Sequence, residues 1–373
     1  MFGGSNSGAD ERVLRALASA LSSPAEALRS RLAHSVMNLE DDESFNAGRG
    51  SNLTRYGAAE CEAAFMASRG NKVFFGAACC LRRIKNPIGI AEALATRRVE
   101  SLRPHPLVHP LVLVGEGAEE WAVRMGFELT ENAALHTERA RRDMYKFNKT
   151  ALFPDQFAGR ENYDPDSVPF AEASVGNGDT RENGIMPAMD TVGGVEMDLA
   201  DASVSAALSS GGIVGKLPGR LGHCSFYGAG LWTEKRKRKS EDGRDVESTV
   251  SVSLSGCGEA IVEADLARGL ARAILTRPLD QLPLEAASSH FLRGFHDDER
   301  LRERYGERQL VAGGIIAVYE KGLPTPGVAI CELLLLHNSK YLAAAWNDTK
   351  GKAHTTLSKK GRGERVACTA YPL

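Results

Sequence analysis

Asp190-Thr191-Val192-Gly193-Gly194-Val195 is the stretch that decides how this chain reads. A threonine at a chain N-terminus carries its own base, an α-amine with an unperturbed pKa of about 7.7–8, and so needs no histidine partner to act as a nucleophile. Downstream, Val195, Met197 and Leu199 alternate with polar or small residues, the pattern of a half-buried strand. Upstream, Phe153 to Met189 is rich in Pro, Gly, Asn and Asp and reads as a loop. A loop entering a strand at Asp190-Thr191 is a place where a chain can cut itself and expose the threonine. The motif alone is weak, because threonine favours β structure and often begins strands.

The segments that follow add weight. Ser209-Ser210-Gly211-Gly212 closes a second strand (Val204, Ala206, Leu208), joined to the first by a turn near Asp201. A hairpin returns both serines to the neighbourhood of Thr191, since antiparallel partners lie about 5 Å apart. Pro218-Gly219-Arg220-Leu221-Gly222 sets an arginine between a rigid proline and permissive glycines. Ser255-Gly256-Cys257-Gly258-Glu259 ends a strand (Val250, Val252, Leu254) and opens a helix on which Val262, Leu266, Leu270 and Ile274 recur every fourth residue. Backbone N–H groups at such a junction can face developing negative charge. Each piece alone reads as a turn; four in this order do not.

Together with Phe45-Asn46-Ala47-Gly48-Arg49-Gly50-Ser51-Asn52, Ile84-Lys85-Asn86-Pro87, Val114-Gly115-Glu116-Gly117-Ala118 and Tyr227-Gly228-Ala229-Gly230, these motifs resemble the N-terminal-nucleophile hydrolases of the plant-type asparaginase group. Within it the chain looks most like the threonine aspartases, or taspases. Asp190 stands where asparaginases have Gly, and His223 where they carry an Asp that grips the substrate's free amine. The resemblance implies an α+β fold, a four-layer αββα sandwich, formed by residues 1–373 as a single domain. Autocleavage would divide it into an α chain (1–190) and a β chain (191–373), with 138–189 as a flexible internal loop.

The resemblance also assigns roles. Thr191 is the nucleophile, Ser210 tunes it (Ser209 if the register slips by one), Ser255 and the Gly256 N–H stabilise the oxyanion, and Arg220 holds the substrate carboxylate. A guanidinium fork suits that task. Asp190 before the scissile bond implies an endopeptidase that cuts proteins after Asp, its substrates being chromatin and transcription regulators. An L-asparaginase or isoaspartyl dipeptidase is the alternative, as is an inactive precursor or scaffold. No cofactor and no metal are implied, and the αβ unit is expected either alone or paired with a second.

One departure bears on activity. Relatives begin with a buried strand, and none is read in Met1-Phe2-Gly3-Gly4-Ser5-Asn6-Ser7-Gly8. Either that strand lies outside the sequence or the inner sheet lacks it, at roughly 1–3 kcal/mol for each polar group left unpaired.

The 373 residues are 43% hydrophobic, enough for a large core. A formal net charge of −2 gives no support to nucleic-acid binding. Seven scattered cysteines form neither a disulfide framework nor a Cys-x-x-Cys metal site. No apolar run approaches the roughly 18 residues of a membrane helix, and no signal peptide is read. Nucleus and cytoplasm are the expected compartments. Lys235-Arg236-Lys237-Arg238-Lys239 reads as an exposed basic loop, with nuclear import and plain solvation equally open.

Overall fold

The computed structural model describes residues 2–3, 11–22, 30–70, 72–100, 108–150, 191–201, 203–240, 242–323 and 329–373. The first half runs β1 (Phe2–Gly3), α1 (Glu11–Ser22), α2 (Arg31–Asp41), β2 (Cys61–Arg69), β3 (Lys72–Leu81), α3 (Pro87–Glu100), β4 (Val112–Val114), α4 (Gly115–Arg124) and α5 (Glu138–Thr150). The second opens with the hairpin β5 (Val192–Asp198) and β6 (Ser203–Ser210), then β7 (Leu231–Lys239) and β8 (Asp245–Gly256). Four helices follow: α6 (Gly258–Glu263), α7 (Leu266–Thr276), α8 (Pro283–Phe291) and α9 (Glu299–Tyr305). Strands β9 (Ala312–Lys321), β10 (Ile330–His337), β11 (Tyr341–Asn347), β12 (Ala353–Lys359) and β13 (Ala367–Pro372) complete the chain.

These strands form an eight-stranded sheet, β12-β11-β1-β5-β6-β2-β3-β4, and a five-stranded sheet, β13-β10-β9-β8-β7. Helices α1, α2 and α3 cover the outer face of the larger sheet through Leu17, Val36, Leu39 and Ile88. Helices α7 and α8 cover the smaller one through Leu270, Ile274 and Phe291. The sandwich is thus αββα. Small residues let the two sheets meet closely. Ser253 Oγ donates to the Ala207 carbonyl at 2.9 Å and Ser251 Oγ to that of Ser205 at 3.0 Å. A Cβ on Gly193 would come within 2.7 Å of Ser253 Oγ, so glycine is required where β5 crosses under β8.

Four expectations need correction. The inner sheet does not lack its first strand: Phe2 pairs with Ala344 of β11 and Gly193 of β5, and Gly3 with Ala343 and Val192. Phe2 is fully buried between these two longer neighbours. A strand this short leaves no alternating pattern to read. Residues 138–150 are helix α5 rather than loop, because Ala140 and Met144, four apart, bury one face beside Leu135. Lys235 to Lys239 lie on edge strand β7, paired with β8. There Lys235 and Lys239 meet Glu247 and Asp245, and Arg238 reaches the buried Glu320. The helix expected after Ser255 is two helices, broken where Asp265 adopts a left-handed φ of 46°.

Phe2→Ala is expected to destabilise the protein by about 3–5 kcal/mol, the usual cost of emptying a buried phenylalanine site. Thermal unfolding checks this. A melting temperature within a degree of wild type would show that β1 contributes nothing to the inner sheet.

Candidate active site

Thr191 is the residue just before β5 and is buried. Pairing of Val192 with Ser209 brings Thr191 opposite Ser210 at the open end of the hairpin. The Thr191 hydroxyl donates to Ser210 Oγ at 3.2 Å, and Thr191 N donates to Ser255 Oγ at 3.3 Å. Side chains alternate across a strand, so Ser209 points the other way, where it donates to Glu40 Oε1 at 2.5 Å. The geometry thus selects Ser210 over Ser209 as the neighbour of Thr191. Asp190, the other half of the expected cleavage site, lies outside the described residues.

The turn after β6 is pinned from below by the loop that follows α2. Asn46 Nδ2 and Asn52 Nδ2 both donate to the Gly212 carbonyl, at 2.7 and 2.8 Å. Gly211 N donates to the Asn46 carbonyl at 2.8 Å. Held this way, Gly212 N donates to Ser210 Oγ at 3.0 Å. That fills one acceptor position on Ser210 and leaves its oxygen oriented toward Thr191. Gly211 has no room for a side chain, since a Cβ would lie 2.4 Å from Asn46 Oδ1.

Two carboxylates of the β2 region fix the next segment. Glu60 accepts from Gly219 N (2.8 Å) and from the Arg82 guanidinium, while its carbonyl accepts from Lys216 Nζ (2.7 Å). Glu62 accepts from Gly222 N with both oxygens, at 2.9 and 3.1 Å, and from Ser225 Oγ at 3.2 Å. A Cβ on Gly222 would meet Glu62 Oε1 at 2.4 Å and displace that carboxylate. Burial pushes the Glu62 carboxyl above its ordinary range, opposed by the nearby Lys216 and Arg220 charges. Between these anchors Arg220 turns toward α6. There its Nε and Nη2 donate to the two oxygens of Glu259, at 2.8 and 2.5 Å. The carboxylate-binding arginine and the ion-paired arginine are therefore one residue in two possible uses.

His223 is buried, and its Nε2 lies 2.9 Å from the Leu254 carbonyl. A carbonyl only accepts, so Nε2 carries the proton and Nδ1 a lone pair. Burial lowers its pKa to about 4, leaving it uncharged at neutral pH. Thr191, Ser210, Gly212, Arg220, Gly222, His223, Gly256 and Gly258, with Asn46 and Glu62, line one narrow cleft. Ser255 borders it through Thr191 N, and Cys257 N, one donor of the strand–helix junction, is taken by the Val311 carbonyl. Thr191, Ser210, Arg220 and Gly256 thus meet at this cleft with Ser255 at its border, whereas Ser209 faces Glu40 on the other side of β6. Sequence reading gave no role to Glu40, Glu60 or Glu62, which act on the cleft through Ser209, Gly219 and Gly222. Among the described residues no group of three His, Cys, Asp or Glu side chains is placed to hold a metal ion. No described helix is long and apolar enough to cross a membrane.

A family model for asparaginase matches residues 7–323. The chain belongs to the asparaginase family. An isoaspartyl peptidase of Escherichia coli is 30% identical over 96% of this chain and 87% of its own length. A probable isoaspartyl peptidase/L-asparaginase of Drosophila melanogaster is 32% identical over 64% of this chain, and one of Bos taurus, an isoaspartyl peptidase/L-asparaginase, 31% over 62%. The aligned part spans 61% and 59% of those two proteins. The relatives' names match the asparaginase alternative better than an aspartate-specific endopeptidase.

Glu40 supplies a test of how the hairpin is held. Burial raises its carboxyl from 4.5 to about 8, so the folded protein keeps a proton that the unfolded chain gives up. The associated stability is full below about pH 4.5 and is lost as pH rises through about 8. Glu40→Gln, which keeps an uncharged acceptor for Ser209, should lose less melting temperature than wild type between pH 7 and pH 9. Parallel losses in the two proteins would show that Glu40 does not titrate beneath Ser209.

Proposed function

We propose that this chain splits before Thr191 and then uses Thr191 to hydrolyse the amide of a small aspartyl substrate, either asparagine or a β-aspartyl dipeptide. The observation that carries this reading is the convergence of Thr191, Ser210, Ser255 and Arg220 on one narrow cleft. The names of the relatives favour the same substrates.

In the precursor, Thr191 Oγ1 attacks the Asp190 carbonyl and displaces its own nitrogen, and water hydrolyses the resulting ester. The freed α-amine is within reach of the hydroxyl of its own residue and takes its proton. Oγ1 then bonds to the substrate's amide carbon while the C–N bond breaks, the proton passing to the leaving nitrogen. Negative charge developing on the carbonyl oxygen is met at Ser255 and Gly256. Water, deprotonated by the same amine, releases the acid. Arg220 positions the substrate by its carboxylate.

A second reading, an endopeptidase cutting after Asp, is favoured by His223. An uncharged imidazole offers no counter-charge to a free substrate ammonium, and a peptide has none near the cut. The two readings separate in one assay. Processed protein should hydrolyse asparagine or a β-aspartyl dipeptide faster than a decapeptide containing Asp. Thr191→Ala should be inactive on all three, and Arg220→Ala should lose about 100-fold in kcat/KM, the worth of a bidentate charged contact. A decapeptide cleaved faster than either small substrate would replace the first reading with the second.

A further inference from the structure

We propose that Glu259 is a specificity-determining residue that exchanges partners on binding: it holds Arg220 while the cleft is empty and takes the substrate's ammonium when a carboxylate displaces it. The inference rests on the small-aspartyl-substrate reading above and names the group that would recognise the amine.

Three observations lead there. First, the guanidinium is already engaged, since Arg220 Nε and Nη2 meet both oxygens of Glu259 at 2.8 and 2.5 Å. A substrate carboxylate seeking the same fork competes with Glu259 for it. Second, Glu259 can be displaced, because its side chain is 46% exposed whereas that of Arg220 is only 17% exposed. The arginine is the fixed partner and the glutamate the movable one. Third, Glu259 stands at the cleft wall. The Cβ position of its neighbour Gly258 is 3.4 Å from Arg220 Nη2 and 3.2 Å from His223 N, so the start of α6 abuts both residues.

The charge arithmetic then favours a particular ligand. A carboxylate alone would take Arg220 and leave Glu259 without a partner. A ligand carrying a carboxylate and a nearby ammonium replaces both members of the ion pair at once, so each charge keeps a counter-charge. The acidic side chain that lines the cleft, Glu62, is held by Gly222 N and Ser225 Oγ, and His223 is bound to the Leu254 carbonyl. Glu259 is thus the acidic group at the cleft with freedom to respond.

The test compares two ligands that differ only in the amine. L-Aspartate and succinate are titrated calorimetrically into the processed wild-type protein and into Glu259→Gln, and hydrolysis of asparagine and of succinamate is measured in parallel. Wild type should prefer aspartate to succinate. The substitution should weaken aspartate about tenfold or more, the worth of one charge-assisted contact, and strengthen succinate by relieving competition for Arg220. KM for asparagine should rise and that for succinamate fall. Equal changes for both ligands, a preference that survives substitution, or no binding of either ligand to wild type would overturn the proposal. Glu259-dependent aspartate binding without hydrolysis of either asparagine or a β-aspartyl dipeptide would leave it standing and reject the substrate reading instead.

Discussion

Register in the β5–β6 hairpin is the constraint on which the site depends. Val192 faces Ser209, so Thr191 meets Ser210, and a slip of one residue would present Ser209 to Thr191 and turn Ser210 toward Glu40. Several contacts oppose that slip. Strand β6 is held on its other side by β2, from Glu62–Ser210 to Ser68–Val204. Ser209 is bonded to Glu40, Gly211 to Asn46, and a residue with a Cβ in place of Gly193 would clash with Ser253 and the Ala207 carbonyl. The hydroxyl geometry at Thr191 is therefore a consequence of sheet register, secured by β2, Glu40, Asn46 and Ser253.

Charge is arranged in two tiers around that register. Glu60 and Glu62 are buried and spend their oxygens on backbone N–H groups and neighbouring side chains, which fixes the path from Lys216 to Ser225. Hydrogen bonds to charged groups contribute about 1.5–3 kcal/mol each, and removing the acceptor would strand buried donors. Arg220 and Glu259 form the outer tier, closer to solvent and joined to each other by a side-chain ion pair. A rigid inner tier and an exchangeable outer one suit a site that must hold its nucleophile still while admitting a charged ligand.

Much of this was legible in the sequence. The alternation of Val204, Ala206 and Leu208 marked β6, and the paired serines before Gly211-Gly212 marked the end of the hairpin. The Pro-Gly-Arg turn and the Ser255-Gly256 junction were likewise visible, because glycine and proline punctuate local structure. What stayed hidden has a common cause, that it depends on distant partners. Phe2-Gly3 is a strand only because β5 and β11 lie on either side of it. Lys235 to Lys239 resemble a loop by composition, and β pairing with Asp245 to Thr249 overrides that. The Arg220–Glu259 pair joins residues 39 apart, and no local pattern announces it.

The central claim is that Thr191 becomes a free N-terminal nucleophile in this pocket. The most direct measurement is the intact mass of the purified protein over time, with N-terminal sequencing of the products. The account predicts that one chain of 40.1 kDa gives way to two, the second beginning Thr191-Val192-Gly193-Gly194, and that Thr191→Ala remains whole. A wild-type chain that stays intact while hydrolysing asparagine, or one that splits elsewhere, would contradict it.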